Sequence, residues 1–487
     1  MNVRYSTTLI SEKRTDQDYS NQWRSIDWKE IKHQVNRLQT RIAKATRENK
    51  WNLVKRLQYL LTHSHYAKLL AIKMVTQNRG ARTAGIDGER WMRHSDKMKA
   101  ALSLTSKKYH AKPLKRIYIP KPGKETKRPL SIPTMYDRAM QALYTLALQP
   151  VAETRADKRS FGFRLFRCTQ DAAQYAFFCL HHPKSAMWIL EGDIQGCFDN
   201  ISHEWLKINV PMEKSVLNQF LRAGFVFERK LYSTDKGTPQ GGIISPILAN
   251  IALDGIEKML DDNFPNMKVH FIRYADDFLV TAPTRDIAEE ICGQIQIFIA
   301  KRGLKLSKSK TLITHIDEGF DFLGWNFRKY NGKLLIKPSR NSIKKIIEKM
   351  KEIIHRGAAW TQEDLIIKLN PLITGWANYH RHIVAKRTYQ KLDFILWNML
   401  WRWAKRRHHN KGKRWIAQRY WHKEGARNWV FKSESVNLNS FAETKIRRHS
   451  MVKLEASPYL DQEYFYNRTE KIRKQTPWIQ TKLSYFT

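Results

Sequence analysis

The 487-residue chain is 42% hydrophobic and 27% charged, which excludes a disordered polymer and allows roughly two to four domains. Its net charge of +42 at pH 7 comes from basic residues spread along the whole length, so the expected partner is a polyanion. No apolar run reaches the roughly 18 residues of a membrane span, the first twenty residues carry no apolar leader core, and Cys168, Cys179, Cys197 and Cys292 form no CxxC pair; the expectation is a soluble protein with reduced, buried thiols and neither a disulfide framework nor a zinc site.

In chain order, Ile31, Val35, Leu38 and Ile42 recur at helical spacing within 28–47, and Leu53, Leu57, Leu60 and Leu61 continue the pattern through 50–77. A helical N-terminal extension over 1–80 is expected. From 81 to 335 short strand-like runs (RIYIP, WILEGDI, VHFIRYA, FLVTA) alternate with helices such as DRAMQALYTLAL, the texture of an α+β domain. SIKKIIEKMKEIIHR at 342–356 sets Ile343, Ile346, Ile347, Met350, Ile353 and Ile354 on one stripe, an amphipathic helix opening an α-helical region over 336–435. Residues 436–487 form a more polar tail. No internal repeat is found.

Within HFIRYADDFLVTA, 270–282, two adjacent acids, Asp276 and Asp277, lie between two strand-like runs. Like charges at neighbouring positions repel unless a cation sits with them, and a divalent metal is the first candidate. Consecutive strand residues point to opposite faces, so both can approach one site only at a tight turn; Asp276 is expected to be the stronger ligand and Asp277 a partial one. Upstream, Asp193 closes the run WILEGDI. If it meets Asp276 in space, the pair can hold two Mg²⁺ ions about 3.5–4 Å apart, one activating a 3′-hydroxyl and one neutralising a leaving pyrophosphate: nucleotidyl transfer. A strand-end Asp taken singly is more often a cap or turn residue. Asp199 and Glu191 are expected in a buried salt bridge or as exposed acids.

These phrases occur in an order that resembles the reverse transcriptase/maturases encoded by group II introns, and the resemblance runs through almost the entire chain. YADD, 274–277, and DIQGCFDNI, 193–201, look like the two metal-bearing palm segments; AGIDG, SFGFRLFRCTQDA, GTPQGGIISPILANIALD, RGLKLSKSKT and FDFLGWNF complete the series. The resemblance implies an α+β right-hand polymerase, with fingers and an antiparallel palm sheet over 81–335 and an α-helical thumb and maturase region over 336–435. It implies RNA-templated DNA synthesis with Mg²⁺ and binding of the parent intron RNA in support of splicing and mobility. Catalytic and metal roles fall on Asp193, Asp276 and Asp277. Lys121 and Arg128 match the positions that hold the triphosphate; they flank PGKETK, a turn where cations can close over phosphates. By resemblance Gln240 contacts the incoming nucleotide and Phe198 excludes a 2′-hydroxyl, although a core Phe and a solvated basic loop are the plain readings of Phe198 and of the turn. Expected partners are structured intron RNA, an RNA template with DNA primer, target DNA and deoxynucleoside triphosphates, without a membrane, in a bacterial cytoplasm or alternatively an organelle. A host-recruited polymerase in defence or repair, and a splicing-only RNA-binding maturase, remain rival readings.

NPLITGWANYHRHI and WNMLWRWAKRRHHNKGKRWIAQRYW resemble the maturase-specific region. Between 402 and 414 stand Arg402, Lys405, Arg406, Arg407, Lys411, Lys413 and Arg414 with no acid, interleaved with Trp401, Trp403 and Trp415. Cations for phosphates and rings for unpaired bases fit structured RNA, while each tryptophan singly is more often core. RHHN, 407–410, lacks the cysteines and acids of a metal nuclease. Many relatives carry a zinc-supported HNH endonuclease after a segment like PYLDQEYFYNR, 458–468; the sequence stops at Thr487, so the expectation is that this domain is lacking, that the tail is a remnant DNA-binding connector, and that a primer comes from elsewhere, such as a replication fork.

Overall fold

A computed structural model describes residues 15–120, 127–425 and 427–475. Lys121 of the expected triphosphate pair lies outside the described residues.

The N-terminal part is helical, with Asp16–Arg24, Trp28–Arg47, Trp51–His63 and His65–Thr76 in succession. Asp27 starts the second helix by accepting from the backbone N–H groups of Lys29 and Glu30 at 2.8 and 3.3 Å. The single helical stretch expected over 50–77 is two helices, because Ser64 (φ −65°, ψ 129°) is extended. The inward face also differs from expectation. Val54, Leu57 and Leu61 are buried at steps of three and four, whereas Leu53 and Leu60 fall on the outside and are exposed.

Two four-stranded sheets follow. One has the order Lys127–Ile132, Leu114–Pro120, Phe225–Phe227, Lys230–Tyr232, and only its middle pairing is parallel. The other has the order Phe271–Tyr274, Asp277–Ala282, Trp188–Asp193, Leu312–His315, antiparallel throughout. The helix Met135–Arg155 runs through the main core, apolar residues buried on all sides of it, as its mixed apolar sequence requires of a helix with no solvent face. A three-stranded sheet, Phe320–Phe322, Trp325–Tyr330 and Lys333–Pro338, leads to the C-terminal helices Arg340–Arg356, Gln362–His380, Lys386–Arg407 and Lys413–Tyr420. Trp325, fully buried, joins these parts: its ring stacks on Tyr379 at 4.8 Å and its Nε1 donates to His380 Nδ1 at 2.9 Å. Of the apolar stripe on 342–356, Ile346 and Met350 are fully buried and the remaining isoleucines pack half-buried against the same core.

Beyond the hairpin Trp421–Glu424 and Arg427–Phe431, the tail turns back across the molecule to the helix Gln462–Gln475. Thr40 Oγ1 donates to the Tyr459 carbonyl at 3.2 Å, and Arg468 reaches the buried Asp171 carboxylate at 2.7 Å. No helix among the described residues is long and apolar enough to cross a membrane.

Candidate active site

Tyr274 pairs with Asp277 at the end of the Phe271–Tyr274 and Asp277–Ala282 hairpin, leaving Ala275 and Asp276 as the two-residue turn. Ala275 takes φ 60°, a left-handed conformation that costs an alanine energy and is retained only where the surroundings enforce it. The surroundings do so from two sides. A Cβ on Gly162 would lie 2.2 Å from the Ala275 nitrogen, so only glycine lets the 160–163 backbone come this close. From beneath, the fully buried Arg273 donates to the Ala275 carbonyl at 3.3 Å and to Asn250 Oδ1 at 3.0 Å, and pairs with Asp254 at 2.5 Å. Asn250 in turn donates to the Gly162 carbonyl at 3.0 Å, closing the frame. Burial pushes the Asp254 carboxyl up to about 7, and Arg273 opposes that rise.

The cross-strand register sets Asp193 opposite Asp277, with Asp276 one residue earlier on the turn. The sequence pairing of Asp193 with Asp276 thus becomes a cross-strand pair with Asp277 and a neighbouring turn acid. Burial raises both Asp276 and Asp277; Asp193 raises each further, and Asp277, also facing Asp276, reaches about 6. Lys310 Nζ donates to both oxygens of Asp193 at 2.8 Å, putting a cation on the acid group. The three carboxylates do not close to the mutual 4.8 Å reached by Cys168, Asp171 and His449, the one trio that does so among the described residues. In that trio Arg468 already donates to Asp171 Oδ1, and the Val452 N–H donates to the same oxygen at 2.8 Å. Of the four thiols, only Cys197 is fully buried; the other three are half-buried.

The remaining expected residues gather around the acids to different degrees. Arg128, on the strand Lys127–Ile132, sits close enough for its charge to pull the Asp276 carboxyl down. Phe198 is half-buried, edge-on to Phe163 at 6.1 Å, and its carbonyl accepts from the Thr238 N–H at 2.6 Å. Gln240 Nε2 donates to Asp199 Oδ2 at 3.1 Å while the Gln240 carbonyl accepts from the Ser131 N–H at 2.7 Å. The GTPQGG loop therefore links the strand Lys127–Ile132 to the short helix Cys197–Asn200 that follows Asp193, and Gly241 (φ 110°) is required there because a Cβ would meet the Ser131 carbonyl at 2.6 Å. Asp199 is an exposed acid that holds Gln240. Glu191 is not exposed and forms no salt bridge among the described residues: it is half-buried, raised to about 7 by burial, and accepts from Thr314 Oγ1 at 2.9 Å. Lys310, Arg273 and Gly162 are the site residues that the sequence reading missed. Each lies inside a quoted phrase, yet nothing local distinguishes it from its neighbours.

All seven cations of 402–414 are exposed, and none forms an ion pair among the described residues. Arg407 differs from the others in that it donates to the Trp360 carbonyl at 2.6 Å. Trp403 is core, its Nε1 donating to the Gly357 carbonyl; Trp401 is half-buried and Trp415 exposed.

With this geometry in view, the comparisons with known proteins agree over residues 23 to 421. A family model described as reverse transcriptase (RNA-dependent DNA polymerase) matches residues 119–327, one for the N-terminal domain of reverse transcriptase matches 23–104, and one for the group II intron maturase-specific domain matches 343–421. The protein is a reverse transcriptase with the α+β right-hand polymerase fold. Among curated proteins, it is 28% identical to the group II intron-encoded protein LtrA of Lactococcus lactis subsp. cremoris, covering 72% of this chain and 69% of that one. It is 28% identical to protein YkfC of Escherichia coli K12 (56% and 82%), and 26% identical to maturase-like protein 1 of Euglena gracilis (76% and 79%). The chain belongs to the group II intron-encoded reverse transcriptase/maturases. It is an RNA-directed DNA polymerase working by metal-dependent nucleotidyl transfer, and it binds intron RNA and template with primer in splicing and mobility.

Proposed function

We propose that Asp193, Asp276 and Asp277 hold two Mg²⁺ ions and carry the polymerisation chemistry. The register that sets Asp193 against Asp277, with Asp276 on the adjoining turn, carries this reading: three neighbouring carboxylates, of which Asp276 and Asp277 are raised by burial and by the adjacent acids, make a donor set suited to a hard divalent cation. When bound, the metal lowers the pKa of a primer 3′-hydroxyl and offsets charge on the leaving pyrophosphate. Lys310 orients the Asp193 carboxylate by donating to both of its oxygens, on the side where a metal ion would be held. Arg128 attracts the triphosphate of a deoxynucleotide, with Lys121 read from the sequence as its companion; Gln240, fixed by Asp199, lies beside the nucleotide, and Phe198 lies beneath its sugar. Mn²⁺ binding followed by electron paramagnetic resonance tests the donor set without reference to turnover. The parent should saturate at about two ions per chain, and Asp193→Asn should lose at least one. Equal stoichiometry in both would withdraw the assignment.

Residues 1–80 are read as an N-terminal extension, 81–335 as fingers and palm, 336–435 as thumb and maturase region, and 436–487 as a connector with affinity for target DNA, in a bacterial cytoplasm or an organelle. Phe198→Ala should admit ribonucleotides, measured as incorporation of ribo- against deoxynucleoside triphosphates on one template; unchanged selectivity returns Phe198 to the core.

The exposed run Arg402, Lys405, Arg406, Arg407, Lys411, Lys413 and Arg414 is read as a phosphate-binding face for intron RNA. Neutralising Arg402, Lys405 and Arg406 should flatten the log–log salt dependence of intron binding by roughly 0.7 to 0.9 per lost contact. Parallel lines for parent and variant would reduce the run to a solvated surface.

A further inference from the structure

On the helix Lys386–Arg407 the residues Arg387, Lys391, Phe394, Asn398, Trp401 and Lys405 follow one another at alternating steps of four and three, the spacing that keeps side chains on one stripe. The opposite side is committed to the core through Leu392, Leu396, Leu400 and Trp403. Beside the middle of the stripe lies a cleft of about 270 Å³ walled by Phe394, Trp397, Trp421 and Trp429. Two of these rings are left largely in solvent, Phe394 at 67% and Trp429 at 56% exposure. The others are packed together: Trp397 lies parallel to Trp401 at 5.4 Å, and Trp421 meets Trp397 at 5.8 Å and Trp401 at 5.2 Å, while the exposed Trp429 stands edge-on to Trp397 at 6.3 Å. Rigid rings with open faces lose little entropy when something stacks on them.

The charge around the cleft selects the occupant. The helix carries seven Lys and Arg residues and one acid, Asp393. That acid is half-buried at the cleft wall, and its oxygens are already taken up, accepting from Ser440 Oγ at 2.6 Å and from the Phe441 and Ala442 N–H groups at 2.9 Å. The acid Glu443 is paired with Arg427 at the rim. An apolar protein partner would have to desolvate the cations at both ends of the stripe without recompense, and duplex nucleic acid hides its base faces from the rings. An unpaired strand satisfies both requirements, phosphates on cations and bases on rings.

We propose that this cleft is a base-stacking site for unpaired nucleotides of RNA, with the flanking phosphates on Arg387 and Lys391. It rests on the reading of the protein as a binder of intron RNA and gives that binding a second, non-ionic component. The test uses the full-length chain, a short oligouridylate as probe, and two readouts: quenching of tryptophan fluorescence and affinity across a salt series. Phe394→Ala with Trp429→Ala should weaken binding roughly tenfold or more and leave the salt slope unchanged, because rings and not ion pairs are removed. Phe178→Ala, on the helix Thr169–Leu180, is a half-exposed aromatic outside the cleft and the basic run and should bind as the parent does. Both altered side chains are more than half exposed, and an unchanged melting temperature certifies the fold. Affinity of the double variant within twofold of the parent overturns the site while leaving RNA binding intact, and so does a parent dimer that the double variant dissociates. A parent that binds neither the oligouridylate nor intron RNA overturns the underlying reading as well.

Discussion

Replacing Asp276 with Ala abolishes primer extension on an RNA template, by more than about a hundredfold, while affinity for the template and primer stays close to the parent's. The asymmetry follows from position. Asp276 occupies a two-residue turn beside the Asp193 and Asp277 pair, and its removal subtracts a carboxylate from the donor set without touching any exposed cation that meets phosphate. Loss of one acid also relieves Asp277, whose pKa is raised in part by Asp276, so the variant is expected to be at least as stable as the parent. Primer extension and filter binding on the same preparation check this. Activity above a few per cent of the parent would remove Asp276 from the chemistry. Asp199→Ala is the control, expected to be milder because that acid is exposed and acts on the site by holding Gln240.

Arg273→Met should be nearly as damaging to activity, although its side chain is wholly buried and faces no substrate. Two consequences are separable. Breaking the pair with Asp254 leaves a buried carboxylate uncompensated, a loss of about 3–5 kcal/mol by denaturant titration. Removing the donor to the Ala275 carbonyl releases the turn that carries Asp276. Adding Asp254→Leu should restore much of the stability, because the stranded charge is gone, but not the polymerase activity, because the turn still lacks its donor. If activity returns together with stability, Arg273 is merely a core ion pair and has no positioning role.

The acids were legible because two adjacent carboxylates between apolar strand runs have few structural reasons to exist, and Asp193 ends a third such run. Lys310 was not, since its contact with Asp193 spans 117 residues and its own segment reads as ordinary basic loop. Arg273 hides inside a run whose alternation says only that it is half of a strand. Helical periodicity placed the Trp28–Arg47 helix correctly but misjudged the next, because four leucines in 50–77 offer two competing stripes and Val54, not Leu53, completes the buried one. The basic run predicted an exposed charged face correctly. That Arg407 is tied to the Trp360 carbonyl, and that the open aromatic rings are Phe394 and Trp429 rather than Trp403, depends on which side of a helix meets its neighbours. Composition carries no such information.

The return of the tail across the molecule has a consequence for how the protein is made. Asp171 is fully buried, and its cation Arg468 lies 297 residues further along the chain; Thr40 waits 419 residues for the Tyr459 carbonyl. At a synthesis rate of about 5–20 residues per second, Asp171 leaves the ribosome roughly 15 to 60 s before Arg468 exists. Until then the palm holds a carboxylate that cannot be buried without a penalty of a few kcal/mol. A chain ending between the hairpin and the last helix would retain every polymerase motif yet lack the cation that faces Asp171, so it is expected to be less stable than the full chain by a few kcal/mol.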